Sequence, residues 1–213
     1  MTWPTVFGVG NKVMEHLPDA LGLLSNLEVL CLDKCKAVKD IPDSIGNLSK
    51  LKSLSMRECK AINKLPQSLL RCNNLVELSL SKCVGLSAIP EDIDNLLSLE
   101  DLVLTKCKGI TSLPPKIGRM KSLCLLDLRA CKNIERLPDS LASLSHLRIL
   151  DLSACKNLKS LPPSLGSLPS LEKLDVTNCL AITEVPVEWE SIRGVTVGWD
   201  EIIARQSKTH VNS

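Results

Sequence analysis

Apolar positions return along this chain at a fixed interval. A run of the form Leu-x-x-Leu-x-Leu, as in Leu147 to Leu152, recurs every 24 residues and is closed in turn by Leu32, Met56, Leu80, Leu104, Leu128, Leu152 and Val176. Alternation inside each run predicts a short strand. Leu30 and Leu32, and their equivalents, point inward, and the residues between them point out. Behind each strand the apolar residues step by three, as in Ile45, Leu48 and Leu51, which predicts a single 3₁₀-like turn. Pro18, Pro42, Pro66, Pro90, Pro114, Pro138, Pro162 and Pro186 fall on the same 24-residue grid. Proline suits the first position of such a turn and keeps the residue before it extended. Cys35, Cys59, Cys83, Cys107, Cys131, Cys155 and Cys179 also lie 24 apart, each just beyond a strand run.

One unit therefore reads L-x-x-L-x-L-x-x-C-x-x-I/L-x-x-L-P-x-x-I/L-G-x-L-x-x. An isolated unit cannot bury enough apolar surface to offset the entropy of ordering it, so successive units must stack. The expected fold is α/β: a curved, right-handed solenoid with a parallel sheet on its concave face and short helical or irregular segments on the convex one. A single domain over residues 1–206 is expected. Residues 1–26 form a degenerate opening repeat, in which Trp3, Val6 and Gly8 match the strand leucines and Asn11 takes the cysteine slot. Regular repeats fill 27–186, and Gly194 to Gly198 reads as a worn further strand. Residues 187–206 are expected to cap the open edge, with 207–213 as a polar, disordered tail.

The repeat wording resembles that of leucine-rich repeat proteins, whose units run about 20–29 residues with Asn or Cys after the strand. Within them, C-x-x-L-x-x-L-P-x-x-I-G-x-L-x-x-L is most similar to the repeat domain of plant intracellular nucleotide-binding disease-resistance receptors. Plant cell-surface repeats usually read L-x-G-x-I-P. Ras-suppressor-type cytosolic scaffolds share the L-P-x-x-I/L half but generally carry Asn in place of Cys. The first resemblance implies a protein-interaction module in defence signalling, which recognises a pathogen-derived or host protein through its concave face. The second implies a scaffold for a small GTPase or a phosphatase. The chain shows no P-loop, nucleotide-binding domain or signalling domain. The repeats begin without a polar cap, so association with a nucleotide-binding receptor domain, or self-association through the N-terminal edge, would cover an otherwise bare end.

Composition narrows the functional classes. With 26 basic and 24 acidic residues the net charge is +2, which argues against general attraction to nucleic acid or an anionic membrane. The N-terminal residues carry neither the basic nor the apolar region of a signal peptide, and no apolar run reaches the roughly 18 residues of a membrane span. A cytoplasmic location follows as the expectation, with the grid cysteines as reduced, inward-facing thiols. Each is expected to offer its S–H to a neighbouring carbonyl. No enzyme activity, cofactor or metal is expected, because a line of cysteines cannot converge on one tetrahedral ion.

Three outward columns remain as candidates. Asp127, Asp151 and Asp175 stack on successive strands, where coupled carboxylates could act as acid and base. The repeat wording and the counter-charge of Arg129 explain them more simply. Lys36, Lys60, Lys108, Lys132 and Lys156 follow their cysteines as a rail that a phosphate backbone could track, with a solvated edge as the plainer account. The favoured site is the concave face of the fifth and sixth repeats. There Leu125 and Ile149 occupy an outward column that elsewhere holds Ser53, Glu77, Asp101 and Lys173. Ala130 and Ala154 leave room beside them, and Asp127, Arg129, Arg148, Asp151 and Ser153 form a charged rim, with Lys173 and Asp175 continuing the surface. An apolar centre with a polar border is the anatomy of a protein-binding patch. Cys31 and Cys124 are the outward, candidate reactive thiols.

Overall fold

Strands of only three residues cannot stand alone, and here each one survives by pairing with the strand a coil away. The computed structural model describes residues 6–8, 10–183 and, for the backbone, 196–197. Its strands are β1 (Val6–Gly8), β2 (Val29–Cys31), β3 (Ser53–Ser55), β4 (Glu77–Ser79), β5 (Asp101–Val103), β6 (Leu125–Asp127), β7 (Ile149–Asp151), β8 (Lys173–Asp175) and β9 (Thr196–Val197). They form one parallel sheet whose spatial order is their order in the chain. From β2 to β8 every partner is 24 residues away: Leu30 faces Leu54, Leu54 faces Leu78, and so on to Leu150 facing Leu174. That is the leucine-rich repeat solenoid.

Both ends depart from the 24-residue period. Val6 pairs with Val29 and Phe7 with Leu30, a spacing of 23. The inward side chain of β1 is therefore Phe7, which packs on the core, while Val6 is 60% exposed. The expectation that Val6 and Gly8 face inward is thus corrected by one residue. Such a slip exchanges the two faces of a strand, and the large apolar ring takes the core side. The 24-residue spacing is restored by His16, which bridges Asp40. At the other end Thr196 pairs with Lys173 and Val197 with Leu174, so the worn strand expected at Gly194 to Gly198 contributes β9. Trp3, the expected cap at 187–206 and the tail lie outside the described residues, save for the backbone of β9.

Each of β1 to β7 is followed across the coil by a 3₁₀ turn, from Asp19–Leu23 to Pro163–Ser167. The grid prolines sit one position earlier than expected. Pro18, Pro42, Pro66, Pro114, Pro138 and Pro162 are N-caps, the first five with extended backbone, and their carbonyls accept the first bond of the turn, as from Ile45 N to Pro42 O at 3.0 Å. Pro115 and Pro163 fill the first helical position instead, where a missing N–H costs nothing. The three-residue apolar steps are inward throughout, with Ile45, Leu48 and Leu51 fully buried.

A feature invisible in the repeat wording closes each strand. The residue before each grid cysteine adopts a left-handed backbone, at φ 55–64°, in Lys34, Glu58, Lys82, Lys106, Ala130, Ala154 and Asn178. For a residue with a Cβ this costs about 1 kcal/mol. In six of the seven the N–H donates to the carbonyl one coil further on, from Lys34 N to Arg57 O through Ala154 N to Thr177 O, at 2.7–2.8 Å. The strain is therefore held by coil-to-coil hydrogen bonding. On the convex side, Gly118 is pressed so closely on the next coil that a Cβ would lie 2.1 Å from the Ser140 carbonyl oxygen.

Two substitutions check this account by urea denaturation. Ala154→Gly should raise stability by about 0.5–1 kcal/mol, since relief of left-handed strain exceeds the added entropy of the unfolded chain. Gly118→Ala should lower it by about 1–3 kcal/mol through overpacking.

Candidate functional site

The inward columns are spent on the core. Inward thiols donate to carbonyls. Six belong to the grid: Cys59 to Leu32 O, Cys83 to Met56 O, Cys107 to Leu80 O, Cys131 to Leu104 O, Cys155 to Leu128 O and Cys179 to Leu152 O, at 2.9–3.1 Å. Cys72, in a slot usually held by Leu, does the same to Ile45 O at 3.3 Å. Burial pushes the Cys107 thiol up to about 11 and the Cys155 thiol up to about 12, so neither forms thiolate near neutral pH. All ten cysteines are reduced thiols, and only Cys31 and Cys124 are less than fully buried. Cys124 Sγ lies 3.3 Å from the Ser122 carbonyl, and burial raises its pKa.

The aspartate column proves to be a row of turn locks. Asp127 Oδ1 accepts the Arg129 N–H at 2.9 Å, and its Oδ2 accepts the Thr105 hydroxyl at 2.8 Å and an Arg129 guanidinium N–H at 3.2 Å. Asp151 Oδ1 accepts the Ser153 N–H at 2.9 Å and hydroxyl at 2.6 Å, and its Oδ2 faces Arg129 Nε at 3.2 Å. Asp175 Oδ1 takes the N–H and hydroxyl of Thr177, at 3.0 and 2.7 Å. Each carboxylate thereby fixes the turn that leads into the left-handed residue. Asp127 and Asp151 are 9% and 8% exposed, so they form a buried floor beneath Arg129 rather than an open rim. Arg129 bridges both and leaves about half of its side chain, 52%, in solvent.

Leu125 and Ile149 are direct cross-strand neighbours, flanked by Asp101 and Lys173 in the same column. They are half-buried rather than standing freely in water, because each shields the other. The pair makes a small apolar step on the outer face of the sheet. Arg148 beside it is clamped to Glu172 by two parallel bonds, Nε to Oε1 at 2.7 Å and a second guanidinium nitrogen to Oε2 at 3.0 Å. The Arg148 bond holds the Glu172 carboxyl below the ordinary carboxylate value. On the other flank, burial and then the nearby Glu77 and Glu100 raise Asp101. Lys173 is exposed. The patch is therefore apolar at its centre, acidic toward β5 and basic toward β8. Ala130, buried and left-handed, stands at a position where other coils carry Lys or Glu.

Thr105 and Glu172 belong to this surface but were not among the candidate residues. Glu172 was readable: it stands 24 residues after Arg148, the spacing at which Lys39–Glu15, Lys52–Glu28, Lys82–Glu58 and Lys159–Glu135 also pair. Thr105 lies 22 before Asp127, whereas Ser55, whose hydroxyl bonds Asp33, lies 22 after it, and no periodic rule announces either bond. The exposed His16 and His146 stand far apart, and His146 meets only the hydroxyl of Ser145. Among the described residues no group of three or more His, Cys, Asp or Glu is placed to hold a metal ion. No helix of the described residues is long and apolar enough to cross a membrane. At the N-terminal end, Phe7, Met14, Leu17, Leu21, Leu23 and Leu24 line an apolar recess of about 350 Å³ beside β1.

Comparison with known proteins agrees with this architecture. The family profile described as R13L1/DRL21 leucine-rich repeats matches residues 132–179, a span of two periods. The leucine-rich repeat domain of the type III effector XopL is similar over 86% of this chain and 73% of its own length, at 25% identity and a TM-score of 0.73. The Leptospira interrogans protein LIC12759 is similar over 89% of this chain at 27% identity and a TM-score of 0.69. The ectodomain of the Arabidopsis thaliana membrane receptor kinase GASSHO1/SCHENGEN3, solved in complex with Casparian strip integrity factor 2, is similar over 85% at 26% identity and a TM-score of 0.63. This chain spans 53% of the Leptospira protein and 25% of the plant ectodomain. No curated protein matches it. The fold and these likenesses are those of the leucine-rich repeat solenoid.

Thiol labelling checks the site geometry. At pH 8, Ellman's reagent should titrate Cys31 and Cys124 in the native protein, Cys31 the faster, and reach the eight buried cysteines only on unfolding.

Proposed function

We propose that this chain is a recognition module of the plant disease-resistance kind, acting in the cytoplasm and binding a protein partner through its concave face in defence signalling. The observation that carries the reading is the Leu125–Ile149 step. It is an aliphatic pair in register on the outer face of a sheet whose core is complete without it. Around it Asp127, Asp151 and Asp175 are locked to their own turns, so the floor is rigid before any partner arrives. Preorganised apolar centres bordered by charge are where protein interfaces concentrate their binding energy.

In this reading Leu125 and Ile149 supply the apolar contact, Arg129 and Lys173 supply the open cations, and Arg148 is held in place by Glu172. Asp127, Asp151, Asp175 and Ser153 hold the floor and the turns. The plant-resistance character of the matching family profile supports the setting, and that profile covers Ile149, Asp151 and Ser153. The plant receptor kinase solved with a protein ligand supports a proteinaceous partner for the fold. Binding, not chemistry, is the activity. The apolar recess at β1 is the place where a receptor domain, or a second copy, would dock.

Leu125→Glu combined with Ile149→Glu is the test. The pair is half-buried and outside the core, so the melting temperature should fall by no more than a few degrees. Retention of the protein that co-purifies with the wild-type chain from its native lysate should weaken more than tenfold. Unchanged retention by a folded double variant would refute the concave site.

A further inference from the structure

Several cations on this solenoid are paired one coil apart. Lys39 meets Glu15 at 2.6 Å, Lys52 meets Glu28 at 2.8 Å, Lys82 meets Glu58 at 2.7 Å, Lys159 meets Glu135 at 2.5 Å, and Lys116 contacts Asp92. The period makes such pairing easy, since an acid placed 24 residues away stands next to its base. The column just beyond the grid cysteines does the opposite. It reads Lys36, Lys60, Val84, Lys108, Lys132, Lys156 and Leu180, without one acid. Lys108, Lys132 and Lys156 are exposed on three successive coils, with Lys106 beside the first, and none of the four forms an ion pair among the described residues.

Like charges on neighbouring coils, at a strand spacing of about 4.8 Å, are destabilising. Protection of a sheet edge does not explain them, because the edges of this sheet are β1 and β9 and the rail runs across strand ends in the middle. We infer that the rail formed by Lys106, Lys108, Lys132 and Lys156 is a second docking surface, and that its occupant is an extended acidic segment of a partner protein.

The chemistry selects that occupant. A chain in extended conformation places same-face carboxylates about 6.6–6.8 Å apart, within reach of lysine stems standing over coils about 4.8 Å apart. The ligand must be narrow, because a broad polyanion would also cover the outer face of the sheet, where Glu77 opens β4 and Glu100 precedes β5, both exposed. Ala130 and Ala154, adjoining the rail, leave a thin chain room to lie close to the backbone. Single-stranded nucleic acid lacks a stacking platform along the rail among the described residues: the chain has no Tyr, its one Phe is Phe7, at the far N-terminal end, and its Trp stand at positions 3, 189 and 199. The inference is independent of the Leu125–Ile149 reading.

Fluorescence anisotropy with a labelled twelve-residue polyglutamate peptide tests it. Lys108→Gln/Lys132→Gln/Lys156→Gln should weaken binding at least tenfold at 50 mM salt, with an unchanged or slightly raised melting temperature. Lys52→Gln/Lys116→Gln/Lys159→Gln removes the same charge from paired positions and should change binding less than twofold. Equal loss in both variants, or no binding by the wild-type chain at 50 mM salt, would overturn the proposal. So would tighter rail-dependent binding of a twelve-nucleotide oligothymidylate, or of vesicles containing 20% phosphatidylserine, than of the peptide.

Discussion

Everything in this molecule depends on one coil pairing with the next in a fixed register. Among the described residues no strand is longer than three residues, and no single coil could bury its leucines alone. Stacking supplies both deficits. Leu54 lies between Leu30 and Leu78 and closes the apolar spine on either side. At the end of each strand a left-handed residue hands its N–H to the following coil. The grid thiols then take carbonyls left over from the coil before. Hydrogen bonding and burial are satisfied by the same step of 24 residues, which makes the register cooperative.

Because the fold is complete on its inner side, the outer columns are free to carry other information. Most of what they carry is still structural: aspartates that lock turns and ion pairs one coil apart. Against that background two departures stand out, an aliphatic pair where the column is otherwise mostly polar or charged, and a row of lysines without acids. Both sit over the same middle and C-terminal coils, on adjacent surfaces. A partner with an apolar contact and an acidic extension would engage them together, and linked contacts of that kind gain by effective concentration.

The periodic part of this structure was legible in the sequence because burial repeats where the coil repeats. The inward leucines, the cysteine slot and the 3₁₀ turns all follow from which side of the coil each position faces. What was not legible broke the period or lay in the backbone. Phe7 displaced Val6 from the core because the first spacing is 23, and no count along the grid could reveal a missing residue before the second strand was placed. The left-handed turns were hidden because Lys, Glu and Ala occupy them, residues that rarely signal positive φ. At the candidate site the column containing Leu125 and Ile149 was readable from spacing. The burial of Asp127 and Asp151 was not, since it depends on side-chain bonds to Thr105, Arg129 and Ser153 that cross from one turn to another.

Removal of one whole period tests the stacking claim most directly. Deleting residues 101–124 joins Glu100 to Leu125 and restores the register one coil shorter. The shortened chain should keep a β-rich circular dichroism spectrum and unfold cooperatively in urea, with a smaller dependence on denaturant. Deleting residues 101–112, half a period, should leave it unfolded. A shortened chain that fails to fold, or a half-period deletion that folds as well as the full one, would contradict the account.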